Sequence, residues 1–136
     1  MIRVVLDTNI LISGVLHIGK PEKLIGLAIK GELEIVSSVG VVDEFRDVIG
    51  RDKFGFSPKE QEFIVNFIIR LSHLIVVKSN FKAVEKDHDD DIFINAAYDG
   101  NAKYIVSGDR HLLDMKEFKG IKIITAKQML QLLGRL

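Results

Sequence analysis

The chain has 136 residues, which is the length of a single domain, so we expect residues 1–136 to form one domain. A chain of this size buries roughly two-thirds of its unfolded surface and can hold a core without covalent staples. The sequence has no cysteine, which excludes disulfides, zinc–thiolate sites and cysteine nucleophiles. The 19 basic and 19 acidic residues cancel, so any attraction to a polyanion requires a local basic patch.

The N-terminus begins with a short strand-like run and lacks the architecture of a signal peptide. No apolar run reaches the roughly 18 residues of a transmembrane helix. We therefore expect a soluble cytoplasmic protein with no membrane partner.

Strand-like runs alternate with helical patterns along the chain, which predicts an α/β layer fold with a mainly parallel sheet. The five runs are Ile2–Leu6, Leu33–Val36, Leu74–Val77, Tyr104–Val106 and Ile121–Ile124. Their short β-branched cores, such as Val4-Val5, suit strands that are covered on both faces.

Two helix starts carry capping boxes. Ser57 is followed by proline and, three residues on, by Glu60, and Thr125 is followed by Gln128 in the same spacing. Gly134 is a plausible terminator of the second helix. After Ser57 the apolar residues cover more of the helix than a one-sided surface helix needs, which predicts either deep burial or self-association. These residues are Phe63, Ile64, Phe67, Ile68, Ile69 and Leu71.

Four acidic positions carry most of the chemical information. Asp7 and Asp109 each follow a predicted strand, Glu44 lies at the margin of the apolar stripe of a helix, and Asp90, with Asp91 beside it, opens a later helix. Each has an ordinary structural explanation, because acids cap helices and favour their N-termini. The order of the four favours convergence, since parallel strands place their carboxyl ends at one edge of the sheet.

A pocket of four carboxylates cannot stay fully ionised and unpaired. Such a pocket either raises the pKa values of its acids or binds a hard cation such as Mg²⁺ or Mn²⁺ through oxygen. The sequence therefore indicates metal-dependent phosphate chemistry. It contains no paired-histidine metal motif, no G-x-S-x-G and no phosphate-binding glycine loop.

The acidic motifs together resemble the PIN-domain ribonuclease family, which includes VapC-type toxins of toxin–antitoxin pairs. Val5–Ser13 is similar to the opening motif of the family, and Ser38–Ile49 is similar to its second segment. Asp87–Ala97 resembles the D-x-D-D segment of a prokaryotic branch, and Ile105–Leu113 matches the last motif closely.

The resemblance implies a three-layer α/β/α fold with a mainly parallel sheet of four to five strands. It implies a catalytic, metal-binding set of Asp7, Glu44, Asp90 and Asp109, with Asp91 as the alternative third acid. It further implies that Asn9 and Ser107 support the acids and that Arg110 contacts substrate phosphate. Three further basic residues are candidate phosphate contacts, but we interpret them as solvated surface charges. They are Arg46, Arg51 and Lys53.

The expected function is cleavage of single-stranded RNA with Mg²⁺ or Mn²⁺ as the cofactor, by a homodimer whose partners include an antitoxin protein. A non-catalytic PIN-fold module that binds nucleic acid or protein is the main alternative. A small phosphotransfer enzyme is a further alternative, but Asn9 stands where a haloacid dehalogenase-type phosphatase has its second aspartate.

Overall fold

One six-stranded sheet runs through the middle of the protein, in a computed structural model that describes residues 1–136. The order across the sheet is β3-β2-β1-β4-β6-β5, and every neighbouring pair is parallel except β5 with β6. The strands are β1 Arg3–Leu6, β2 Glu34–Ser37, β3 Ser72–Leu74, β4 Tyr104–Val106, β5 Glu117–Phe118 and β6 Ile121–Ile124.

Seven α-helices cover the two faces of the sheet, so the protein has the three-layer α/β/α architecture and the mainly parallel sheet that were predicted. The helices are α1 Thr8–Leu16, α2 Lys20–Ile29, α3 Val39–Ile49, α4 Pro58–Leu71, α5 Asp91–Asp99, α6 Arg110–Leu113 and α7 Ala126–Leu132. Helix α5 packs on β1, β2 and β4, while α1 packs against α2 and α3. None of these helices combines the length with the apolar composition that a membrane-spanning segment requires.

The core is a single cluster of 33 buried apolar residues. The two central strands are buried on both faces, and Val4, Val5, Ile105 and Val106 are fully inaccessible to solvent. This double burial explains why these strands appear in the sequence as continuous apolar runs rather than as alternating ones.

The edges of the sheet differ from the prediction. The third strand occupies Ser72–Leu74 instead of Leu74–Val77, because its register is fixed by the pairing of Ile35 with Ser72. Beyond it the chain leaves the sheet, and Val76 is 79% exposed. The sequence also did not predict β5, because a two-residue strand has no detectable period; it raises the strand count to six.

The predicted helix signals are present. Ser57 and Glu60 form one reciprocal capping box, and Thr125 and Gln128 form the other. Gly134 adopts φ 68° just after α7, a left-handed conformation that suits glycine at a helix end. The caps fix where α4 and α7 begin, and therefore how the chain returns to the sheet.

Candidate active site

Asp7 lies at the carboxyl end of β1, next to the end of β4. Its backbone N–H donates to the Val106 carbonyl at 3.1 Å. One carboxylate oxygen accepts from the Ile10 N–H at 2.9 Å and so caps α1, and the other accepts a short hydrogen bond from the Ser107 hydroxyl. Asp7 is only 4% exposed. It caps α1 and also lies at the carboxyl edge of the sheet, where α/β proteins place their functional sites.

Ser107 ties Asp7 to Asp109. The Ser107 side chain is fully buried, and its oxygen accepts from the Asp109 N–H at 2.9 Å while its hydroxyl donates to Asp7. The Asp109 carboxylate accepts from the His111 N–H at 2.9 Å and caps α6. Ser107 therefore bonds directly to the carboxylate of Asp7 and to the backbone of Asp109.

Glu44 is held by a residue that the sequence did not indicate. The Thr8 hydroxyl donates to a Glu44 carboxylate oxygen at 2.8 Å, across 36 positions of the chain. The neighbouring acids on α3, Asp43 and Asp47, are exposed, as the helical stripe predicted. In the sequence, Thr8 was notable only because it follows Asp7, and that position suggested a helix cap rather than a contact with another acid.

The structure separates Asp90 from Asp91. Asp90 is 9% exposed, and one of its carboxylate oxygens is buried without any hydrogen-bond partner. Asp91 is directed elsewhere: it accepts from the Val84 N–H at 2.8 Å and lies 3.0 Å from His88 Nδ1. Asp91 thus secures the chain that precedes α5, and Asp90 is the acid of this pair that faces the site.

The four acids line one pocket of about 220 Å³ at the carboxyl edge of the sheet. Asn9 also lines the pocket, whereas Asp91 and Arg110 do not. The full lining is Asp7, Thr8, Asn9, Glu44, Val48, Arg51, Lys53, Phe54, Asp90, Phe93 and Asp109.

Burial and mutual repulsion perturb two of these acids. Burial raises the pKa of Asp7 to about 6, against the lowering effect of its bonds from Ser107 and Ile10, and the charges of Asp109 and Glu44 raise it further. The pKa of Asp90 also lies well above its usual range, first because of burial and then because of the neighbouring Asp109 carboxyl. Such shifts mark a pocket that resists full ionisation without a counter-ion.

The donor set fits a hard divalent cation. Carboxylate oxygens are the ligands that Mg²⁺ and Mn²⁺ prefer, and Asp90, which lines the pocket, has one carboxylate oxygen without a hydrogen-bond partner. No three acidic or histidine side chains converge closely enough to hold an ion as they are arranged.

The basic residues are arranged differently from the prediction. Arg110 is exposed and does not line the pocket, whereas Arg51 and Lys53, which we interpreted as surface charges, do line it. Arg46 is exposed and pairs with Asp43 at 3.2 Å and Glu62 at 3.9 Å. The path of the loop after α3, which the sequence did not define, places Arg51 and Lys53 in the pocket lining.

Comparison with known families identifies the class of protein that this fold and site define. The family model of the PIN domain matches residues 3–111 of the sequence. The chain therefore belongs to the PIN domain family. PIN domains are in general nucleases that act on nucleic acids, and they usually employ divalent metal ions. The match spans all four acids of the pocket, from Asp7 to Asp109.

The proteins that the chain resembles include a sequence relative and a solved structure. The chain is 32% identical to the uncharacterized protein MJ1680 of Methanocaldococcus jannaschii, over 90% of this chain and 81% of that protein. Its structure is similar to the crystal structure of PAE2754 from Pyrobaculum aerophilum, with a TM-score of 0.63, 14% sequence identity and coverage of 99% of this chain and 91% of the other. The second likeness shows that the two proteins share a fold.

Proposed function

We propose that the protein is a metal-dependent endoribonuclease that cleaves phosphodiester bonds of single-stranded RNA at the four-carboxylate pocket. The observation that supports this most strongly is the buried Asp90 oxygen without a partner, beside three other carboxylates in the same pocket. A buried charge without a partner is costly, and a bound cation would offset that cost in place of the protonation that the raised pKa values indicate for the metal-free pocket.

The four acids of the pocket share one task in this proposal. Asp7, Glu44, Asp90 and Asp109 would hold Mg²⁺ or Mn²⁺. The chemistry that the ion would supply is activation of water and neutralisation of phosphate charge.

Hydrogen bonds outside the acid set orient it. The Ser107 hydroxyl fixes one oxygen of Asp7 and the Thr8 hydroxyl fixes one oxygen of Glu44, at 2.8 Å. Asn9 lines the pocket and supplies an amide that can contact water or substrate. Such outer contacts set the direction of metal ligands and tune their affinity.

Cleavage of a fluorescent single-stranded RNA in Mn²⁺ tests the proposal. The wild type should cleave it, EDTA should stop cleavage, and Asp7→Asn and Asp90→Asn should each reduce the rate by at least about a hundredfold, as expected for loss of a group that acts on the reaction. Asp47→Asn, an exposed acid on α3, is the matched control and should cleave like the wild type. RNA that binds but is never cut would instead support the non-catalytic module.

We further propose a homodimer that pairs through α2 and α4. Phe63 is 76% exposed, and it lines a groove of about 770 Å³ together with Ile29, Ile64 and Phe67. Exposed apolar surface of this kind is typical of an interface. Light scattering should give twice the chain mass for the wild type and one chain mass for Phe63→Lys. A monomeric wild type would reject the dimer.

A toxin role, with an antitoxin protein as the partner, is the finer form of the proposal. It predicts that expression of the wild type arrests growth of a bacterial host and that Asp7→Asn, made at the same level, does not. Equal growth of the two strains would reject the toxin role and leave the nuclease proposal intact, because the cleavage assay tests that separately.

A further inference from the structure

The loop between α3 and α4 brings two cations to the wall of the acidic pocket. Arg51 and Lys53 both line it and are both exposed. Neither forms an ion pair, although four carboxylates line the same pocket. The nearby Arg46 shows the contrast, because it is occupied by two acids on the outer surface. Arg51 and Lys53 are therefore free to bind an anion from solution.

Hydrogen bonds order the backbone of the loop that carries these side chains. The Arg51 N–H donates to the Val48 carbonyl at 3.1 Å, and the Arg51 carbonyl accepts from the Phe54 N–H at 3.0 Å. Gly55 follows at φ 68° and closes the turn. These bonds continue the last turn of α3 into a short 3₁₀ turn at Asp52–Phe54, so the backbone that carries both cations is hydrogen-bonded rather than loose.

Phe54 positions the lysine. The Lys53 ammonium lies 5.1 Å from the centre of the Phe54 ring, within the range of a cation–π contact. The ring itself lines the pocket and packs against the core. The ammonium is thus anchored to the pocket wall by a side chain that the core holds.

A nucleic-acid strand that enters a carboxylate pocket needs cations beside the acids, because its phosphates are repelled by them. Guanidinium binds phosphate through paired hydrogen bonds, and ammonium binds it as a point charge. We propose that Arg51 and Lys53 form the subsite for the backbone phosphate next to the bond that is cut. This inference rests on the proposed nuclease function and names the residues that hold its single-stranded substrate.

The test compares two doubly substituted proteins that lose the same charge. Arg51→Gln/Lys53→Gln removes the subsite, and Lys103→Gln/Lys127→Gln removes two exposed cations that line neither the acidic pocket nor the groove between α2 and α4. Cleavage of single-stranded RNA is measured over a range of NaCl concentrations, and circular dichroism melting shows that both variants are folded.

The subsite variant should raise KM at least about tenfold, as loss of charge-assisted bonds to phosphate does, and change kcat less than about threefold. Its plot of log kcat/KM against log salt should flatten by about 0.7, since the subsite holds one phosphate and each phosphate contact with a single strand contributes about 0.7. The control variant should show neither change. Equal KM values and equal salt slopes for the two variants would overturn the inference.

Fluorescence anisotropy with the same RNA in EDTA separates this inference from the nuclease proposal, because it measures the contact without cleavage. If the wild type binds RNA but does not cut it, the nuclease proposal fails, while weaker binding by the subsite variant than by the control still supports the subsite. If all three proteins bind equally well, or the wild type does not bind, the subsite is rejected.

Discussion

Replacing Asp7 by asparagine should stabilise the metal-free protein at alkaline pH. The folded protein holds this carboxyl in a buried position where burial and neighbouring acids raise its pKa from 3.8 to about 6. Folding therefore takes up a proton between about pH 4 and pH 6. The ionised side chain opposes folding increasingly as the pH rises through that window, and its full effect is present above it.

The size of the effect follows from the pKa. A rise of about 2 units corresponds to about 3 kcal/mol of destabilisation once Asp7 is ionised. Asparagine keeps the helix cap but replaces one acceptor by a donor, so the bond from the Ser107 hydroxyl is lost at a cost of about 1 kcal/mol. We expect the free energy of unfolding of Asp7→Asn at pH 8 to exceed that of the wild type by about 2 kcal/mol.

Urea unfolding in EDTA at pH 8 and at pH 4 provides the measurement, with Asp47→Asn as the matched surface control. The advantage of Asp7→Asn should be present at pH 8 and should disappear at pH 4, where the wild-type carboxyl is largely protonated. The control should stay within about 0.5 kcal/mol of the wild type at both values. A less stable Asp7→Asn at pH 8, or an advantage that is the same at pH 4, would refute the reasoning.

Three further outcomes are expected. At pH 8 in EDTA, Asp91→Ala should lower the free energy of unfolding by about 1–3 kcal/mol, because it leaves the buried Val84 N–H without an acceptor. Asp90→Ala should not lower it. Equal losses for the two variants in urea unfolding would contradict the separation of the two acids. Mn²⁺ should raise the melting temperature more at pH 8 than at pH 5.5, since protons compete for acids with raised pKa values; a gain independent of pH would count against the site. Thr8→Val should weaken Mn²⁺ binding by about 10- to 100-fold in calorimetry, because Thr8 orients Glu44; unchanged affinity would remove that role.

The convergence of the acids was predictable because it depends on chain direction. Asp7 and Asp109 each follow a strand, and β1 and β4 are parallel neighbours at the centre of the sheet, so the two acids must emerge at the same edge. Glu44 followed from its place at the margin of the α3 stripe. The PIN resemblance and the mainly parallel α/β/α fold rested on the same features, and both are confirmed.

Other details depend on contacts between distant segments. Asp90 and Asp91 are adjacent in the sequence, and the contacts of Asp91 with the Val84 N–H and with His88 distinguish it from Asp90, which lines the pocket. The bond between Thr8 and Glu44 likewise joins residues that are 36 positions apart. No periodicity or cap signal reports such contacts, because they are created by packing after the elements have formed.

Short and edge elements were also beyond the sequence patterns. The bounds of β3 are set by its partner strand, and β5 is too short to show a period. Arg110 was preferred over Arg51 as a phosphate contact because it is adjacent to Asp109 in the chain. The structure shows that adjacency in sequence did not place Arg110 in the pocket, whereas the 3₁₀ turn after α3 did place Arg51 there.

The most direct test of the central claim is the position of Mn²⁺ in crystals of the wild-type protein soaked with the ion. Anomalous diffraction should show Mn²⁺ in the acidic pocket, bound by oxygens of Asp7, Asp90 and Asp109, with Glu44 in direct contact or one water away. The Asp90→Asn crystal should show a much weaker peak. Manganese found only elsewhere on the protein, or an equal peak in the variant, would contradict the claim that these four carboxylates form the metal centre.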